Sequence, residues 1–122
     1  MNKRGFGSLG EKLAEDYLIQ NGFKILERNY RVGRIGEIDI IATENDYICF
    51  IEVKTRTGSL YGLPIEAVGH TKRKKIKELA LIYLKQKRMI DKNIRFDIVE
   101  VMGNRTGDKF EMEKINIVRS AF

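Results

Sequence analysis

The stretch GEIDIIATENDYICFIEVKTR, residues 36–56, decides how this chain is read. Two apolar runs flank the polar tetrad Thr43-Glu44-Asn45-Asp46, which reads as a hairpin joining strands over 37–42 and 47–55. Asp39, Glu52 and Lys54 interrupt those runs, where burial makes charge costly. Side chains alternate across a strand, so Glu37, Asp39 and Ile41 are expected on one face. In the second strand Ile48, Phe50, Glu52, Lys54 and Arg56 are expected together, with Cys49, Ile51 and Val53 opposite. A tight turn at Asn45-Asp46, closing on Glu44 opposite Tyr47, sets Asp39 directly across from Glu52 with β-carbons about 5 Å apart.

Like charges so opposed destabilise a sheet, and a bound divalent cation removes the penalty. Two carboxylates suit Mg²⁺, with waters and a substrate phosphate completing its shell. Lys54, two residues past Glu52 on the same face, could position an attacking water and offset phosphate charge. The plain alternative is a structural Glu52–Lys54 ion pair at a strand end, and at this point both readings stand.

Outward from the hairpin, Leu13, Ala14, Tyr17 and Leu18 fall at helical spacing, predicting a helix over 8–21 that stops at Asn21-Gly22-Phe23. A strand over 23–30 follows, ended by the turn Gly33-Arg34-Ile35-Gly36. A glycine-bearing loop over 58–69 leads to a helix over 71–87 with the apolar stripe Ile76, Leu79, Ala80 and Tyr83. Strands over 94–102 and 110–118 complete the chain, the last at an edge or against the core, with a turn at 104–108. The order αβββαββ predicts an α/β fold, a mixed sheet flanked by helices. With 122 residues, 43% of them hydrophobic, the chain is expected to form one domain over 1–122.

Charge is unevenly placed. The chain carries +6, and residues 71–92 hold nine Lys or Arg against Glu78 and Asp91, so this segment alone carries +7. Such a field attracts polyanions such as nucleic acid, although a solvated lysine face has the same composition. No apolar run reaches the roughly 20 residues of a membrane span. The basic N-terminus lacks the apolar stretch of a secretory signal. Cys49, the only cysteine, excludes an internal disulfide or a cysteine-based zinc site and suits a reducing, cytoplasmic setting.

Taken together, GEIDIIA and FIEVKTR, with GSLGEKLAEDYLIQNGFKIL upstream and RFDIVEV downstream, resemble the YraN-like family of small bacterial proteins over nearly the whole chain. In core and motif the sequence also resembles the PD-(D/E)XK nuclease superfamily, which includes archaeal Holliday-junction resolvases. That resemblance implies a restriction-endonuclease-like core, Mg²⁺ or Mn²⁺, and hydrolysis of phosphodiesters, with branched or structured DNA as the substrate. It implies Asp39, Glu52 and Lys54 as catalytic residues, with Ile38 in place of the eponymous proline, and Glu11 as a helical metal ligand beside Asp39 and Glu52. Resolvase-like relatives imply a homodimer. The other class kept open is a non-catalytic nucleic-acid-binding module on the same fold.

The remaining candidates carry weaker signals. Ser8-Leu9-Gly10-Glu11 spells a capping box, so Glu11 is either a cap or, if the helix begins nearer Gly5, a ligand. Gly5 to Gly10 formally match G-x-G-x-x-G, but no strand precedes them, and a dinucleotide site is rejected. Glu37, two residues from Asp39, could be a second acid but reads better as an outer-shell or surface charge after the turn, and His70 reads as a solvent-exposed loop residue. Arg56, Lys72, Arg73 and Lys75 are the expected phosphate contacts, which fix position without reading sequence.

Overall fold

The computed structural model describes residues 3–57 and 68–122. Its elements run α1 (Lys3–Gln20), β1 (Lys24–Val32), β2 (Gly36–Glu44), β3 (Tyr47–Thr57), α2 (His70–Gln86), β4 (Asn93–Thr106) and β5 (Lys109–Val118). The strands form one sheet in the order β1-β2-β3-β4-β5. All neighbours are antiparallel except β3 and β4, which α2 connects as a parallel crossover. The architecture is therefore α/β with a mixed five-stranded sheet, consistent with a restriction-endonuclease-like core.

Each helix covers one face of the sheet, and each face has its own core. Under α2, Ile76, Leu79, Ala80, Tyr83 and Leu84 meet Tyr30, Ile38, Ile41, Ile48, Phe50 and Ile98. Under α1, Ala14 and Leu18 meet Phe23, Ile40, Ala42, Cys49, Ile51, Val99 and Val101. Strands covered on both faces bury consecutive residues, which is why β2, β3 and β4 hold the longest buried runs of the sheet. Cys49 packs in the α1-side core as a small hydrophobe. Among the described residues no helix is long and apolar enough to cross a membrane.

Several boundaries differ from expectation. Helix α1 begins at Lys3, not near Ser8, so Gly5, Gly7, Ser8 and Gly10 all lie inside it and Ser8 is not its N-cap. It ends as predicted: Phe23 N–H donates to the Leu18 carbonyl and Gly22 N–H to that of Ile19, with Gly22 at φ 90°. Strand β4 runs on to Thr106 through an irregularity at Met102/Gly103, leaving only Gly107-Asp108 for the turn. The expected loop over 58–69 lies outside the described residues except for Val68 and Gly69.

A charged cluster closes the hairpin end of the sheet. Arg95 donates to both oxygens of Asp97 and to Glu44, Arg119 grips Glu44 from the other side, and the Ser120 N–H caps Asp97. Asp97 is fully buried, a position tolerated only because every donor it needs is at hand.

Candidate functional site

The hairpin turns at Asn45-Asp46, with Asn45 at φ 52°, and β2 pairs β3 from Glu44 opposite Tyr47 to Ile40 opposite Ile51. Asparagine accepts such a left-handed φ more readily than most residues, which makes the two-residue turn affordable here. One step further along this register stand Asp39 and Glu52. There the ladder ends: the Val53 N–H donates to Asp39 Oδ2 at 2.8 Å.

The facing of Asp39 corrects the simple alternation. On β1, Arg28 reaches Glu15 of α1, whereas Tyr30 packs edge-on against Tyr83 of α2. Two residues apart, they lie on opposite faces because Asn29 between them sits at φ 51°. On β2 the partners of Arg28 and Tyr30 are Ile40 and Ile38, and these too enter different cores. The reset falls at Asn29 and at Asp39, which faces it. Ile41 thus packs under α2, while Asp39 turns toward Glu11 of α1.

Three carboxylates meet there. Glu11, Glu37 and Asp39 each offer an oxygen within 4.8 Å of the others. Glu37 is steadied by Arg31 Nη2 at 2.6 Å. Glu11 can approach because Gly10 precedes it: a β-carbon on Gly10 would stand 1.9 Å from Thr55 Oγ1 of β3. Burial, followed by the charge of Asp39 and a hydrogen bond with it, pushes Glu11 up to about 7. Asp39 is also raised, by burial that outweighs the Val53 N–H bond. Both carboxyls are thus held above their ordinary range by burial, and a hydrogen bond between them needs one shared proton.

Glu52 stands beside this group on the α2 side. It is 1% exposed, and burial followed by the charge of Asp39 pushes it up to about 7 against the opposing pull of Lys72 and Lys54. Lys72 Nζ of α2 lies 2.8 Å from Oε2, yet among the described residues neither Glu52 oxygen accepts a hydrogen bond in good geometry. Lys54 sits next to Lys72 and is lowered, first by burial and then by that like charge. A cleft of about 860 Å³ opens onto Glu11, Glu37 and Asp39, walled also by Ser8, Asn29, Arg31, Lys72 and Arg105.

The other expected contacts scatter. Arg56 is largely buried with Nη1 3.4 Å from Glu100 Oε2, so its charge is engaged inside the fold. Arg73 lines a second cleft on α2 with His70, Lys74 and Lys77, and Lys75 is exposed. His70 is exposed as expected, but it opens α2 instead of lying in a loop. Sequence reading missed Asn29, Arg31 and Arg105 in the cleft wall; only the tolerance of asparagine for positive φ hinted at the first.

Oxygen donors packed this closely, with a buried carboxylate beside them lacking well-aligned donors, fit a hard divalent cation. The donor set needs one mutual adjustment, since Glu52 is engaged by Lys72 and stands outside the Glu11–Glu37–Asp39 group.

Comparison with known proteins places the chain in a family. Residues 10–101 match the model described as uncharacterised protein family UPF0102. A UPF0102 protein of Acetivibrio thermocellus is 49% identical over 121 residues, covering 99% of this chain and 93% of that protein. One from Clostridium kluyveri is 47% identical over 119 residues, covering 98% and 94%. Another, from Caldanaerobacter subterraneus subsp. tengcongensis, is 45% identical over 122 residues, covering 100% and 98%. The chain belongs to the UPF0102, or YraN-like, family.

Proposed function

We propose that this protein is a metal-dependent phosphodiesterase that cleaves DNA, with a preference for branched or structured substrates. The observation that carries the reading is the convergence of Glu11, Glu37 and Asp39 under a cleft with basic walls, with buried Glu52 one register step past the end of the β2–β3 ladder. Asp39, Glu52 and Glu11 would hold Mg²⁺ or Mn²⁺, with Glu37 available as a further oxygen donor. The bound ion would supply charge stabilisation to the phosphate and a more acidic water. Lys54, whose ammonium is already destabilised, would orient the attacking water and exchange a proton with it. Lys72, Arg73 and Lys75 would hold flanking phosphates, and Arg31 and Arg105 extend that basic wall. A homodimer belongs to the same proposal and rests on the resolvase resemblance alone.

Asp39→Ala and Glu52→Ala should each abolish Mn²⁺-dependent cleavage of branched and linear DNA while leaving binding largely intact. If both variants cut as fast as the parent, the site assignment is wrong.

One observation favours a second reading. Lys72 already neutralises Glu52, as would suit a nucleic-acid-binding module that no longer needs a metal. Titration with Mn²⁺ separates the two. A catalytic site binds the ion with a signal that Glu52→Gln removes, and a binding module is indifferent.

A further inference from the structure

Lys72 is oddly placed for a lysine with a purely structural role. It lies in the first turn of α2, where the helix dipole disfavours cations. That turn contains no acidic residue, and its N-cap, Gly69, offers no side-chain bond. The nearest compensation is Glu52, which belongs to the sheet and has its oxygen 2.8 Å from the ammonium. The two partners differ sharply in freedom: the Lys72 side chain is 46% exposed, that of Glu52 1%. One end of this ion pair is rigid and buried, and the other is a long chain that borders the cleft.

An ionised buried carboxylate stripped of its positive partner costs several kcal/mol. An ammonium 2.8 Å from Oε2 and a divalent cation on the same carboxylate repel at close range. Resting on the metal-site reading above, we infer that Lys72 holds the place of the divalent cation on Glu52 and is displaced when the ion binds. The released ammonium remains at the mouth of the cleft, at a helix N-terminus that attracts anions, where a phosphodiester is its natural new partner. Metal loading and grip on the DNA backbone are thereby coupled through one side chain, and the vacant site never exposes a bare buried charge.

The test is Mn²⁺ affinity of the full chain, read by electron paramagnetic resonance of the free ion, without DNA or turnover. Removing the competitor by Lys72→Met should tighten Mn²⁺ binding about tenfold or more. Lys72→Gln, which keeps a donor for Glu52, serves as the second variant should Lys72→Met fold poorly, and should shift in the same direction. Lys74→Met removes an exposed lysine of equal charge from the same turn and should leave Mn²⁺ affinity within about twofold. An equal gain in Lys74→Met reflects general charge repulsion and overturns the inference, as does unchanged or weaker binding in both Lys72 variants. If the parent binds Mn²⁺ and Asp39→Asn abolishes it, such a result sinks the displacement and leaves the metal site standing. If the parent binds no Mn²⁺ at all, both fall.

Discussion

Replacing Gly10 by alanine sets two known effects against each other. Within an exposed helix, Gly→Ala stabilises by about 1 kcal/mol, because glycine loses more backbone entropy on folding. At Gly10, however, the new methyl would lie 1.9 Å from Thr55 Oγ1 and 3.2 Å from Thr55 Cβ. The first distance is roughly 1.5 Å inside an ordinary contact, more than a torsional adjustment absorbs on a strand already paired to β4. Overpacking of this kind costs about 1–3 kcal/mol. The steric effect should win, leaving a net loss of about 0–2 kcal/mol in urea unfolding. Because Glu11 is the next residue, the retreat of α1 should also weaken Mn²⁺ binding. Thr55→Ala in the same chain removes Oγ1, the atom of the severe clash, and should restore most of the stability and of the metal site. If Gly10→Ala instead stabilises the protein by the full helix-propensity gain and metal affinity is unmoved, the close approach of α1 to β3 does not position Glu11.

Other outcomes are equally direct. The Arg119 hydrogen bonds, then Arg95, hold Glu44 down to about 2 from an ordinary 4.5, against some opposing burial. A depressed carboxylate contributes stability at neutral pH that is lost as pH falls from about 4.5 toward 2, so the stability difference between parent and Glu44→Gln should shrink over that window; parallel curves would contradict the pairing. Asp97→Ala leaves Arg95 and the Ser120 N–H without their buried acceptor and should cost about 3–5 kcal/mol by chemical denaturation; a loss under 1 kcal/mol would mean the cluster is not structural. Lys75→Ala, on the exposed face of α2, should reduce the salt dependence of DNA binding by about one counterion without changing substrate preference, as measured by anisotropy at several salt concentrations; an unchanged slope removes Lys75 from the interface.

Much of this arrangement could be read in the sequence, for identifiable reasons. The hairpin register followed from a two-residue turn between apolar runs, and the α2 stripe from its helical spacing. What escaped depends on contacts between distant segments. The glycines of α1 argued locally against a helix before Ser8, and the role of Gly10 becomes visible only with Thr55 against it. The face of Asp39 could not be deduced from alternation, because Asn29 on the neighbouring strand resets it. Arg56 looked like a phosphate contact until Glu100, 44 positions away, turned out to face it. Lys72 was read as a phosphate contact, and its pairing with Glu52 depends on how the crossover helix is seated.

That seating has a consequence for synthesis. Glu11, Asp39 and Glu52 all lie in the first half of the chain, whereas Lys72 and the strand β4 that flanks β3 come later. A nascent chain that has released only α1 and the first three strands carries the three acids with neither the lysine nor the neighbouring strand that encloses them. In that partial chain Lys54 is the lysine left beside Glu52, so burying this carboxylate costs more before α2 is seated than after it.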